Sequence, residues 1–139
     1  MPELKKYQMF IDGQWVDSDT KKTFETLNPE NNKPWAIVPE ASANDVDRAV
    51  KAAQKAFEGE WPKMIARDRA KYLRAIGNKL RENSELLGKI ETIDTGKLYR
   101  ETYQQAKYIA EYYDYYAGLA DKVEGTVLPI DKPNIQAIT

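Results

Sequence analysis

The sequence contains no cysteine and no histidine among its 139 residues. Without cysteine the chain can form neither a disulfide nor a thiolate nucleophile, and the ligands preferred by structural zinc are missing. Without histidine there is no imidazole to act as a general base, so a Ser-His-Asp arrangement is excluded within these residues. Any catalysis by this chain alone would depend on carboxylates, lysines or tyrosines.

A strong net charge and long apolar runs are also missing. The 21 basic and 22 acidic residues give a net charge of -1, which argues against nucleic acid or an anionic membrane as the main partner. No apolar run approaches the roughly 18 residues of a membrane span, and residues 1–6 lack the apolar core of a signal peptide. We therefore expect a soluble, cytoplasmic protein with one domain.

Short apolar segments separated by turn residues occupy the first forty positions and predict a small antiparallel layer. Asp12 and Gly13 favour a two-residue type I′ turn at the centre of a hairpin over residues 9–16. Residues 23–27 and 35–39 predict a third and a fourth strand, separated by a turn rich in asparagine and proline. Because two-stranded ribbons are marginal alone, this layer is expected to lie against the rest of the chain.

Four helices are predicted after this layer. Ser42 and Asp45 have the spacing of a capping box at the start of the first helix, and Gly59 ends it. The second helix is predicted over about 65–82, and the third, shorter helix follows Asn83 and closes at Gly96. The residues expected on the buried faces of the first two helices are Val46, Ala49, Val50, Ala53, Phe57, Ala66, Ala70, Leu73, Ile76 and Leu80.

The fourth helix carries seven of the nine tyrosines. One apolar stripe recurs at alternating steps of four and three, as expected for one face of a helix; it comprises Tyr99, Tyr103, Ala106, Ala110, Tyr113, Ala117 and Ala120. A second row beside it comprises Tyr108, Tyr112, Tyr115 and Leu119. Such a helix is expected to pack on more than one partner, with Tyr103, Tyr113 and Tyr116 in the core.

The pattern changes after residue 122. Residues 124–130 are predicted to be extended, residues 131–134 to form a turn, and residues 135–139 to begin another strand. The sequence ends inside this apolar, β-prone run, without a polar tail. We interpret this as a chain that is cut within a strand.

Several short motifs, taken together and in order, resemble the N-terminal region of the NAD(P)-dependent aldehyde dehydrogenase superfamily over residues 8–139. The segments that carry the resemblance are 10–15 (FIDGQW), 26–29 (TLNP), 45–50 (DVDRAV), 52–53 and 56–57 (AA and AF), 61–62 (WP), 91–97 (ETIDTGK), 115–122 (YYAGLADK), 125–126 (GT) and Pro129. No single segment is specific for this superfamily, but the whole set in this order is specific for it.

This resemblance implies an α/β fold in which the N-terminal β-hairpin layer and four helices belong to a Rossmann-like cofactor domain. It divides the chain into residues 1–122, the N-terminal part of the NAD(P)-binding domain, and residues 123–139, the start of a β arm used in oligomerisation. The implied enzyme is a homodimer or homotetramer. It oxidises an aldehyde through a cysteine thiohemiacetal and thioester, with NAD or NADP as hydride acceptor. The catalytic and cofactor-binding residues of the family belong to positions after 139, so the chain alone is expected to be inactive.

Two candidate sites within the chain also follow from the resemblance. The carbonyl of Leu27 and Asp94 match family positions that contribute to a monovalent cation site for Na⁺ or K⁺, and hard cations prefer such oxygen ligands. The alternative for Asp94 is a local role in accepting hydrogen bonds from the backbone around Thr95 and Gly96.

The second candidate site is a substrate entrance on the tyrosine helix. Gln104 with Tyr108 is the first choice, and Gln105 with Ile109 is the second, because the spacing is one residue shorter than in some family members. The alternative for these side chains is packing alone, which is the commoner role of tyrosine on a helix.

A second function remains compatible with the sequence. The chain could be a stand-alone, non-catalytic interaction module derived from the same fold. The gene sequence beyond codon 139 distinguishes the two hypotheses, since a dehydrogenase requires several hundred further residues that include a cysteine.

Overall fold

The computed structural model describes residues 4–128 and 137–138 of the chain. Its strands are β1 (Lys5–Lys6), β2 (Met9–Ile11), β3 (Gln14–Val16), β4 (Thr23–Asn28), β5 (Lys33–Pro39), β6 (Val127–Leu128) and β7 (Ala137–Ile138). Its helices are α1 (Ala43–Glu58), α2 (Ala66–Glu82), α3 (Ser84–Thr95) and α4 (Tyr99–Leu119). The predicted α/β class and the four helices are confirmed.

Strands β2 and β3 form the predicted hairpin. Asp12 and Gly13 both have positive φ, 51° and 78°, which the type I′ turn requires and which glycine adopts without steric cost. Phe10 lies opposite Trp15 in the antiparallel register, and their ring centroids are 5.0 Å apart. The turn and one cross-strand aromatic pair therefore define this ribbon.

The prediction of a single antiparallel layer is wrong in two respects. The hairpin is a separate two-stranded sheet, and the other strands form a three-stranded sheet in the order β1-β5-β4. Strand β1 was not predicted, and it runs parallel to β5, with Lys6 opposite Ile37. Two adjacent lysines do not show the alternation of apolar and polar residues that predicts a strand. Their conformation depends on pairing with a distant strand, which continues where the Tyr7 N–H donates to the Ile37 carbonyl at 2.9 Å.

Helix α1 begins with the predicted capping box. The Ser42 hydroxyl accepts a hydrogen bond from the Asp45 N–H at 3.1 Å, and the Asp45 carboxylate accepts one from the Ser42 N–H at 3.0 Å. The same carboxylate, which is buried, accepts hydrogen bonds from the Ser18 hydroxyl at 2.9 Å and from Arg48 at 2.9 Å. Asp45 therefore joins the start of α1 to the segment between β3 and β4.

Protonation of Asp45 is expected to weaken the fold in acid. The Ser42 N–H, followed by the Ser18 hydroxyl and the Asp19 N–H, lowers the pKa of Asp45 from 3.8 to about 2. Because the folded pKa lies below the unfolded value, this contribution to stability is complete above pH 4 and is lost as the pH falls towards 2. Thermal melts between neutrality and pH 2 should therefore show the Tm difference between the wild type and Asp45→Asn narrowing with acid. A difference that is constant with pH would contradict this account.

Helix α4 packs against both α2 and α3. Its stripe is buried at Ala106, Ala110 and Ala117, as predicted, and Tyr103 and Tyr113 are half-buried. Tyr116, predicted to be a core residue, is 58% exposed. At 100° per residue it points well away from the centre of the buried stripe.

Helix α1 does not bury its apolar face as predicted. Val46, Val50 and Phe57 are exposed, as is Ile76 of α2. Strand β2 lies against α1, but a three-residue strand is too short to cover a helix of 16 residues. The amphipathic pattern is real, and the described part of the chain does not fully cover it.

Near the C-terminal end, β6 pairs with β7 in antiparallel orientation, with Val127 opposite Ile138. This agrees with extended chain in both predicted segments. Residues 124–126 of the first segment are described and lie outside any strand. Residues 129–130, the predicted turn over 131–134, and residues 135, 136 and 139 lie outside the described residues. The division of the chain at residue 122 stays a prediction. Among the described residues, no helix has the length and hydrophobicity needed to cross a membrane.

Candidate functional site

The sequence-predicted site residues lie on different elements. Leu27 is in β4 and Asp94 is near the end of α3, and these two elements lie against each other. Gln104 and Tyr108 are on the exposed side of α4. The fold therefore brings the two predicted cation ligands into the same region and places the predicted entrance elsewhere.

Asp94 is tied to the sheet rather than to its own helix end. The Thr26 hydroxyl donates a hydrogen bond to Asp94 Oδ1 at 2.9 Å. The alternative role, in which Asp94 accepts bonds from the local backbone, is wrong: the Gly96 N–H donates to the Thr92 carbonyl at 2.9 Å, and the Lys97 N–H donates to the Thr95 hydroxyl at 3.4 Å. The bond to Thr26 therefore positions the Asp94 carboxylate beside the strand that contains Leu27.

The backbone is irregular at Leu27 itself. The β4–β5 register shifts between Thr26 and Leu27, and the partner of Leu27 in β5 is Pro34. Proline has no N–H, so Pro34 cannot donate a ladder hydrogen bond to the Leu27 carbonyl. Backbone carbonyl oxygens and carboxylates are the ligands that a hard cation prefers.

A groove of about 510 Å³ lies next to this position, with Thr26, Asp94 and Trp35 in its wall. The indole Nε1 of Trp35 is buried and has no hydrogen-bond partner in the part of the chain that the structure describes. Among the described residues there is no group of three Asp or Glu side chains that could hold a metal ion.

The exposed side of α4 presents an aromatic groove of about 350 Å³, lined by Tyr108, Glu111, Tyr112 and Tyr115. The hydroxyls of Tyr108 and Tyr112 are 3.1 Å apart, and their rings meet edge to face with centroids 5.0 Å apart. This hydrogen bond is the main cause that raises the pKa of the Tyr112 phenol. The groove offers apolar ring surface with a carboxylate and hydroxyl groups at its edge.

Both register choices for the entrance place exposed side chains on α4. Gln104 and Tyr108 are exposed, and so are Gln105 and Ile109. Only Tyr108 among the four lines the aromatic groove. The geometry is therefore compatible with either pair. The first pair has the additional support that Tyr108 lines the aromatic groove.

The orientation of α4 is set by a buried contact that sequence reasoning missed. Thr102 is fully buried, and its hydroxyl lies 2.9 Å from the Gly88 carbonyl and 2.9 Å from the Thr92 hydroxyl. The Tyr99 carbonyl lies 3.1 Å from the same hydroxyl. A hydroxyl has one hydrogen, so when Thr102 donates to either carbonyl it accepts from Thr92. Thr102 precedes Ala106 and Ala110 at four-residue steps, and this spacing was a signal for its burial.

Comparison with known proteins agrees with this architecture. The model of the aldehyde dehydrogenase family matches residues 15–139. The chain belongs to the aldehyde dehydrogenase family. It is 42% identical over 135 residues to the (Z)-2-((N-methylformamido)methylene)-5-hydroxybutyrolactone dehydrogenase of Acinetobacter baylyi, covering 96% of this chain and 27% of that protein.

Solved aldehyde dehydrogenase structures have the same fold in this region. The NAD-dependent aldehyde dehydrogenase of Sinorhizobium meliloti superimposes with a TM-score of 0.90 at 30% identity, covering 98% of this chain and 28% of that chain. The betaine aldehyde dehydrogenase of Staphylococcus aureus, solved in complex with NAD⁺, gives a TM-score of 0.84 at 41% identity, covering 91% of this chain and 25% of that chain. The chain spans about a quarter of the length of the relatives it matches.

Proposed function

We propose that this chain is the N-terminal part of an aldehyde dehydrogenase that oxidises an aldehyde to a carboxylic acid with NAD or NADP. The single observation that carries the proposal is the likeness of its fold, over nearly all its length, to about a quarter of solved aldehyde dehydrogenases. The overall reaction consumes the aldehyde, water and the oxidised nicotinamide. It yields the acid, the reduced nicotinamide and a proton.

The chain cannot supply the chemistry of this reaction by itself. It has no cysteine and no histidine, so a thiolate nucleophile must come from residues outside it. In this proposal α2, α3 and α4 form part of the wall of the cofactor domain, and residues 123–139 begin the oligomerisation arm of a homodimer or homotetramer. A cytoplasmic location is part of the same proposal.

The exposed apolar side chains support a larger folded unit. Val50, Phe57 and Tyr115 are each more than 60% exposed, although burying a side chain of this size would contribute about 2 kcal/mol. The remainder of the subunit is the proposed cover for these faces.

The gene and its complete product provide the test. The proposal requires the reading frame to continue beyond codon 139 into several hundred residues that include a cysteine, and the complete protein to reduce NAD⁺ or NADP⁺ when an aldehyde is added. A stop codon directly after codon 139 would contradict it and would favour a stand-alone interaction module. Parallel assays with the two nucleotides would assign the cofactor.

Tyr108 is proposed to contact the aldehyde at the substrate entrance. In the complete dehydrogenase, Tyr108→Ala should change the ratio of kcat/KM between an aromatic and a short aliphatic aldehyde by about tenfold, because the variant loses a ring that lines the groove. Tyr72→Ala removes an exposed tyrosine of α2 and should leave that ratio unchanged. If Ile109→Ala shifts the ratio and Tyr108→Ala does not, the second register is correct.

Asp94 and the Leu27 carbonyl are proposed to bind Na⁺ or K⁺. A cation at about five times its Kd should raise the stability of the complete enzyme by about 1 kcal/mol, and Asp94→Ala should abolish this gain. The matched control is Asp121→Ala, which removes a surface carboxylate paired with Lys122. Equal stabilisation of the wild type and Asp94→Ala by either salt would exclude the site.

A further inference from the structure

A third groove, which lies beside strands β1 and β5, is lined by three lysines. It has a volume of about 530 Å³ and lies between the segment after β1, the turn before β4 and the end of β5. Lys6, Lys21 and Lys22 line it, and Asp17 is the one carboxylate among its lining residues. This volume falls within the range of about 300–1,000 Å³ that is usual for small-molecule sites.

The charges in this groove are not balanced. Asp17 accepts a hydrogen bond from the Gln8 amide at 2.9 Å and lies 3.6 Å from the Lys21 ammonium. The hydrogen bond from Gln8 is the main cause that lowers the pKa of Asp17, so this carboxylate is charged at neutral pH and matched by Lys21. Lys6 and Lys22 form no ion pair with any carboxylate of residues 4–128. Two ammonium groups therefore remain uncompensated.

Backbone hydrogen bonds hold the lysines at the groove. Lys6 is paired with Ile37 in the parallel register of β1 and β5. The Lys21 N–H donates to the Ser18 carbonyl at 3.0 Å, and the Glu40 N–H donates to the Lys22 carbonyl at 3.0 Å. These hydrogen bonds order the backbone from which each lysine side chain extends, which removes part of the entropic cost of binding.

We propose that this groove binds the phosphate group of a small phosphorylated molecule. A phosphate monoester carries a charge of about -1.5 to -2 near neutral pH, which matches the two uncompensated ammonium groups. Lysine binds phosphate as a compact point charge with three donors, and Thr23 is also among the residues that line the groove. The site lies apart from the aromatic groove of α4, and binding there requires no dehydrogenase activity.

Calorimetric titration of the complete protein that contains this chain, with inorganic phosphate and with glycerol 3-phosphate, tests the proposal. At low salt we expect saturable binding of at least one of the two, and Lys6→Gln/Lys22→Gln should weaken it by about tenfold or more, because the variant removes two positive charges that the phosphate would contact. Tighter binding of glycerol 3-phosphate would identify an ester as the natural ligand. Similar binding of the two would identify the phosphate group alone.

Two further variants distinguish a specific phosphate site from non-specific electrostatic attraction. The double variant Lys33→Gln/Lys79→Gln also removes two positive charges, but at positions outside the groove. It should bind phosphate as the wild type does. Asp17→Asn keeps an acceptor for Gln8, removes the negative charge and should tighten binding by about threefold, because it removes a nearby like charge.

Three results would overturn the proposal. They are unsaturable binding of both phosphates, equal weakening in the two double-lysine variants, and binding of a polyglutamate peptide but of neither phosphate.

Discussion

Replacing Gly88 by alanine should lower the free energy of unfolding by about 2 kcal/mol. A Cβ at Gly88 would lie 2.9 Å from both Cα and N of Tyr103, and backbone atoms cannot rotate away as a side chain can. Overpacking at such a contact costs about 3 kcal/mol. The higher helix propensity of alanine offsets up to about 1 kcal/mol of this destabilisation. Urea unfolding followed by circular dichroism would measure the net loss.

Gly118 provides the matched control for this substitution. Gly118 lies in the last turn of α4, and a Cβ there would meet nothing within 4 Å. Gly118→Ala should therefore stabilise the chain by up to about 1 kcal/mol through helix propensity alone. Equal effects of the two substitutions would show that α3 and α4 do not approach each other at Gly88 and Tyr103.

Replacing Thr102 by valine should cost about 2 kcal/mol. Valine has nearly the same shape, but it removes the hydroxyl that joins the Gly88 carbonyl to the Thr92 hydroxyl. Because Thr102 is fully buried, no water can replace its hydroxyl at this position, and the loss of such a buried hydrogen bond costs about 1–3 kcal/mol. The shift in the urea midpoint, at unchanged m-value, would report this loss.

The control for Thr102 retains the hydroxyl and removes the methyl group. Thr102→Ser should cost only about 1 kcal/mol, the price of one buried methyl group. A double-mutant cycle of Thr102→Val with Thr92→Val should show a coupling energy, because the two hydroxyls form one network. Greater loss in the serine variant than in the valine variant would mean that packing, and not hydrogen bonding, holds this contact.

These two contacts matter for the proposed function because they set the position of α4. Thr102 and Gly88 lie at the junction of α3 and α4, and the proposed entrance residues Gln104 and Tyr108 follow within two turns of the same helix. Their packing against α3 therefore determines where the aromatic groove faces. In a complete enzyme, this is the structural link between the core of this region and the substrate.

The sequence by itself was sufficient for the local elements and for the family. The type I′ turn at Gly13, the capping box at Ser42 and the buried alanine stripe of α4 all agree with the structure. Each depends on interactions between residues a few positions apart, such as a positive φ, a cap hydrogen bond or a repeated helical step. The family could be recognised because its short motifs keep their order along the chain.

The tertiary structure alone decided the contacts between distant residues. The parallel pairing of Lys6 with Ile37, the exposure of Val50 and the bond from Thr26 to Asp94 have no local cause. The groove lined by three lysines could not be predicted from the sequence either, because its walls come from segments separated by up to about thirty residues. Such contacts depend on which surfaces of the folded elements meet, whereas turn chemistry and helical periodicity report only on each element alone.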